Sequence, residues 1–117
     1  MSPSRRAAIL LIVFLGAAAV LAACDPLASR RSPGERLYRE HCAKCHGIDG
    51  SGNTPAYMGN PYADLTDSNW KYGDNQGAIA STIEKGIFGQ MPPFPQLSDE
   101  EVDDLARYVL GLRGTAR

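Results

Sequence analysis

"EHCAKCHGIDGSG", residues 40–52, sets two cysteines and a histidine within five positions and then runs into three glycines. The spacing Cys42, Cys45, His46 is that of the c-type haem attachment signature, in which each thiol adds to one vinyl group and the adjacent imidazole ligates the iron. Two other chemistries compete for the same residues. A disulfide between Cys42 and Cys45 is open in an oxidising compartment, but thioredoxin-like sites sit in a strand–helix context that the flanking sequence lacks. A structural zinc site needs further Cys or His ligands, and the only other histidine is His41.

The start of the chain bears on the cysteine count. Arg5 and Arg6 precede an uncharged, apolar run from Ala7 to Ala23 that ends in small residues, the pattern of a secretory signal. "LAAC", residues 21–24, resembles the bacterial lipobox, which makes residues 1–23 a lipoprotein signal peptide and Cys24 a lipidated first residue. The competing reading is an uncleaved transmembrane anchor, for which the run is just short of the roughly 20 residues usually needed. Either way the domain hangs on a membrane outside the cytoplasm, on the periplasmic or another extracytoplasmic face. One cysteine for lipid and two for haem leaves none of the three over.

Without the signal, ten basic residues face thirteen acidic ones, a balance that gives no support to nucleic-acid binding. Residues 24–31 read as a tether with no periodicity, and residues 32–117 as one small domain. The 94 residues that follow the signal are few for a self-sufficient core, so a haem would be a body to fold around.

The domain reads as all-α, about three main helices separated by long turn-rich loops. "SPGERLYREHCAKCH" starts with Ser32 as N-cap, Pro33 at N1 and Glu35 at N3, which predicts a capping box and a helix carrying the cysteines at its end. A short helix is expected over Gln76–Lys85, with Ile79 and Ile83 paired and Gly86 at its end. In "LSDEEVDDLARYVLGLRG", Ser98 and Glu101 form a second capping box, Leu97 can staple onto Val102, and Val102, Leu105, Ala106, Val109 and Leu112 draw the apolar stripe. The acidic run at its start is read as a complement to the helix macrodipole in preference to a docking patch.

His46 fills one axial position of the iron, and function turns on the other. His41 sits beside Cys42 and cannot reach the opposite face. Met58 lies in a loop that must still cover the proximal side. Met91, in "GQMPPF", follows the middle helix with length to cross over, and Pro92 and Pro93 stiffen its presentation. Met91 is therefore the expected second ligand, against the commoner use of methionine as core filler. Gly47, Gly50 and Gly52 would let backbone approach the pocket closely, or serve as ordinary turn residues.

"ERLYREHCAKCHGIDGSG", "DLTDSNWKYG", "IASTIEKG" and "GQMPPFPQLSDEEVDDLARYVLGL" together resemble a class I bacterial cytochrome c over residues 33–113. They are similar in particular to the haem domains of the dihaem cytochrome subunit of cbb-type oxidases. This chain departs from that subunit in having one haem motif, not two, and a lipobox. The resemblance implies a small cytochrome c fold around one covalent haem c. In it the first and last helices cross near Gly34, Tyr38 and Tyr108, and a proline carbonyl, Pro61 in preference to Pro55, accepts the ring N–H of His46. It also suggests Trp70 as a residue that packs on the haem or bonds a propionate, with simple core packing as the alternative.

With His46 and Met91 as a closed pair, the expected role is an electron carrier, not an enzyme: a membrane-tethered monohaem cytochrome in a respiratory or related periplasmic chain. Its expected partners are a redox protein or membrane complex as donor and acceptor, with the membrane itself held through the lipid anchor. The alternatives are a haem subunit of a larger oxidase or dehydrogenase, and a peroxidase or gas sensor with a displaceable methionine.

Overall fold

The computed structural model describes residues 30–115. The expected signal peptide of residues 1–23, the expected lipidation site Cys24 and most of the expected tether lie outside them. Four helices follow in order among the described residues: α1 (Pro33–His41), α2 (Ala43–His46), α3 (Gln76–Lys85) and α4 (Asp99–Leu112). Among the described residues no strand forms, only an isolated bridge between Ile87 and Met91, and no helix is long and apolar enough to cross a membrane.

The helix starts follow from local hydrogen bonding. Ser32, in extended conformation, accepts the Glu35 N–H at 3.1 Å. The expected return bond is not what Glu35 makes. Its carboxylate turns to Arg39 at 2.9 Å and Arg31 at 3.5 Å, because two guanidinium groups one turn away on either side outcompete a single amide. At α4 both halves of the capping box are present. Asn75 caps α3 through Ala78 N–H at 3.0 Å, and Gly86 ends it at φ 66°.

The first helix does not run unbroken through the cysteines as expected. Cys42 (φ −110°) is the joint between α1 and α2, and its carbonyl accepts from both Cys45 and His46 N–H at 3.0 Å. Gly47, at φ 81°, then turns the chain away.

α4 packs against both α1 and α3. The core gathers Tyr38 and Cys42 from the first turns, Ile79 and Ile83 from α3, and Val102, Leu105, Ala106 and Val109 from α4. Leu97 packs against this cluster from just before α4. Burying a side chain such as Leu105, which has no exposed surface, is worth about 1.5–3 kcal/mol. Gly34 lets α1 and α4 touch: an added Cβ there would strike the Asp104 carbonyl and lie 2.8 Å from Tyr108 Cβ. Beside this contact the Tyr38 and Tyr108 rings tilt against each other at 5.2 Å, as the helix-crossing expectation required.

The long segment between α2 and α3 is held by scattered backbone bonds, not by regular structure. Gly52 N–H donates to His46 O, Leu65 N–H to Gly50 O, and Gly114 N–H, past the end of α4, to Thr66 O, each at 2.7 Å. Asp49, Asn60, Asp64 and Asp67 each accept from the backbone N–H two residues on, so the segment is a string of Asx turns.

Candidate cofactor site

Cys42, Cys45, His46, Trp70 and Met91, five positions spread over half the described chain, line one cleft. Its walls are largely apolar, with Leu65, Ile79, Ile83, Ile87, Phe94 and Val109 among them. The space inside is about 1180 Å³ counting the part open to solvent.

α1 and α2 set the two thiols. Cys42 faces the core and is buried, and that burial, with the Cys45 sulfur nearby, pushes its thiol up to about 12. Both thiols are free. Thr54 Oγ1 donates to the Cys45 carbonyl at 3.0 Å and so ties the following loop to α2. Tyr38 hydroxyl, fully buried, donates to Gly47 O at 2.7 Å just past His46. Burial raises the pKa of that phenol.

The His46 ring nitrogen Nδ1 lies 2.8 Å from Ala63 O. A carbonyl only accepts, so Nδ1 carries the proton and Nε2 keeps its lone pair. Burial lowers the imidazole's pKa and favours the neutral ring, with the Ala63 carbonyl opposing in part. The acceptor expected from the resemblance was Pro61. Pro61 instead stays exposed on the outside of a turn closed by Asn60, whose side chain accepts the Tyr62 N–H at 3.0 Å, and the chain dips inward only at Ala63. Gly52 explains why Ala63 can come so close. At φ 70°, it lies so tightly on this segment that a Cβ would meet Ala63 C at 2.7 Å and Asp64 N at 2.9 Å.

Met91 reaches the cleft from the loop after α3, while Met58 stays largely exposed and does not line it. Two backbone bonds with Ile87 fix Met91: Ile87 N–H to Met91 O at 2.8 Å and Met91 N–H to Ile87 O at 2.9 Å. Gly86 adds a constraint that Pro92 and Pro93 alone do not supply. A Cβ on it would meet Met91 O at 2.5 Å and Pro93 N at 2.6 Å, so the loop lies directly on the end of α3.

His41 lines the cleft but its ring packs on Phe94 at 5.9 Å. Trp70 lines the cleft too, yet its indole N–H donates to Asp67 O at 2.8 Å. Of the roles open to it from the sequence, packing as part of the wall fits this arrangement, since the donor is already spent within its own loop. Ala63 was missed from the sequence, while Gly52 was expected to permit close backbone approach or a turn and Gly86 to end α3, without the contacts to Ala63 and to the Met91 loop that they make. The glycines carried a weak signal in their type, and Ala63 carried none.

The donor set fits a covalently held haem. Two thiols and a neutral imidazole nitrogen, His46 Nε2, belong to the lining of one apolar cleft that also includes a thioether.

A family model described as cytochrome c oxidase, cbb3-type, subunit III matches residues 29–109. The chain is 39% identical over 83 residues to the cbb3-type cytochrome c oxidase subunit CcoP of Rubrivivax gelatinosus, covering 69% of this chain and 25% of that one. It is 36% identical over 93 residues to the CcoP of Rhodobacter capsulatus, covering 73% and 30%. The solved structure of the KustC0563 c-type cytochrome superposes with a TM-score of 0.59 at 33% identity, over 68% of this chain and 96% of that one. The chain thus spans about a quarter to three tenths of the length of these curated relatives. Its helices, its cleft and its sequence agree on one assignment, and the chain belongs to the family of the cbb3-type cytochrome c oxidase subunit III, with the fold of a c-type cytochrome.

Proposed function

We propose that residues 32–117 are a monohaem electron-transfer domain that serves a membrane oxidase complex, with Cys42 and Cys45 as attachment points and His46 and Met91 as iron ligands. The observation that carries this reading is the convergence of those four side chains on one apolar cleft. Bound there, haem c supplies a one-electron Fe(III)/Fe(II) couple. The Ala63 carbonyl orients His46 and holds the proton on Nδ1, which keeps Nε2 available as a donor. The bridge to Ile87 and the contact with Gly86 present the Met91 thioether with little freedom, and such a soft ligand favours the reduced state. Apolar side chains from α3 and α4, Ile79, Ile83 and Val109, line the cleft. With His46 and Met91 both holding the iron, the domain would carry electrons and perform no bond chemistry.

Of the settings expected from the sequence, a free-standing tethered carrier and a haem subunit of a larger complex, the relatives support the second, since those named are oxidase subunits. The lipoprotein signal of residues 1–23, lipidated Cys24 and an extracytoplasmic location complete the proposal and rest on the sequence.

The test is an optical spectrum of protein made in a host with haem-attachment machinery, oxidised and reduced, then with carbon monoxide. A covalent c-type spectrum with the weak red band of methionine-ligated ferric iron, unmoved by carbon monoxide and without that band in Met91→Ala, is the expected result. Ready binding of carbon monoxide by the wild type would instead make the site a sensor or peroxidase. Co-purification with oxidase subunits separates a subunit from a free carrier.

A further inference from the structure

The cleft is apolar along its walls, yet its lining includes one lysine and no arginine. That lysine, Lys71, follows Trp70, and its Nζ lies 5.3 Å from the centroid of Tyr62 and 5.4 Å from that of Tyr72. All three line the cleft, and both rings are about half exposed, so they mark its open rim. Two aromatic faces on one ammonium confine a side chain that would otherwise range freely in water. The other charged group of the lining, Asp64, is already engaged, accepting from Thr66 N–H at 2.8 Å and Thr66 Oγ1 at 2.6 Å.

A haem brings two carboxylate side chains on an otherwise apolar body, and carboxylates are costly to bury without a partner. The Trp70 N–H is unavailable to them because Asp67 O holds it. We infer that Lys71, held between Tyr62 and Tyr72, is the cation that meets the haem carboxylates and so sets which edge of the group faces the rim. The inference rests on the haem reading above. Lys71 acts as a positioning residue and as an electrostatic one: a cation near the cleft favours the form of the iron with less positive charge, hence the reduced one.

The experiment is a redox titration of the holoprotein with three variants. Lys71→Gln is expected to lower the ratio of reduced to oxidised protein about threefold at fixed applied potential, about 28 mV at 59 mV per tenfold for one electron. The shift shrinks as salt is raised, and Lys71→Arg restores the wild-type ratio. Lys85→Gln removes the same charge from the end of α3, outside the cleft lining, and is expected to leave the ratio unchanged. A Lys71→Gln protein that titrates like wild type, or a Lys85→Gln protein shifted equally, overturns the inference. Haem staining of the denatured wild type separates the two levels: no covalent haem overturns the reading of the site and the inference with it.

Discussion

Gly86 sits at φ 66° and ψ −172°, a region open in practice to glycine alone, and its α-carbon faces the Met91–Pro93 backbone. Gly86→Ala therefore incurs two costs. The conformation itself costs about 1–3 kcal/mol for an L side chain. The new Cβ would also stand 2.5 Å from Met91 O and 2.6 Å from Pro93 N, atoms of a loop already bridged to Ile87, and overpacking of this kind costs about 1–3 kcal/mol. A total of about 3 kcal/mol would lower Tm by about 12–24 °C in a domain of this size. The alternative is that the loop lifts off α3 and takes Met91 with it, in which case stability is partly spared and the red methionine band is lost. Gly89 provides the comparison: it too has positive φ, at 72°, but nothing lies within 4 Å of its added Cβ. Gly89→Ala should cost about 1 kcal/mol, or about 4–8 °C, and keep the band. Thermal unfolding followed by circular dichroism, with the ferric spectrum of the same samples, reads both effects. Equal behaviour of the two variants would refute the claim that contact with Gly86, and not turn flexibility, positions Met91.

Two further outcomes are expected. Tyr38→Phe removes a buried hydroxyl from Gly47 O, but that carbonyl also accepts from Gly50 N–H at 3.2 Å, so the loss in urea unfolding should be about 1 kcal/mol and not the larger penalty of an orphaned group. At α4 the Glu101 carboxyl is held below its ordinary value, first by the Ser98 backbone N–H and then by the Ser98 hydroxyl. A depressed folded-state pKa means that its contribution is present above the unfolded value and fades as pH falls through the folded one. Wild type and Glu101→Gln should thus differ in denaturation midpoint near neutral pH and converge in acid; a gap that persists in acid would assign the difference to something other than the charge.

The legible parts of this fold were those decided within a few residues. Ser98 with Glu101, Gly86 at the end of α3 and the stripe from Val102 to Val109 can be read because caps and periodicity are local rules, and Cys42, Cys45 and His46 because their spacing is itself chemical. The place of Met91 in the cleft lining was legible by a weaker route, through its rigid flanks and the absence of a better rival. The acceptor for His46 was not. Every residue carries a backbone carbonyl, and which one meets the ring depends on how Asn60 closes its turn and how closely Gly52 approaches, neither of which sequence spacing encodes. The partner of the Trp70 N–H was not legible for a related reason: an indole N–H takes the nearest good acceptor, and Asp67 O is three residues away. The break at Cys42 is a third case, since helix propensity says nothing about a carbonyl shared by two amides.

The contact of Gly34 and Tyr38 with Asp104 and Tyr108 joins the first helix of the domain to the last. During synthesis, then, there is no half-built interior: until α4 has been made, Tyr38 has no Tyr108 beside it and Leu105 is not there to fill the centre. Cys42 belongs to that same cluster, so the nascent chain keeps the Cys42 thiol within reach of modifying enzymes until its final helix arrives and shuts it in.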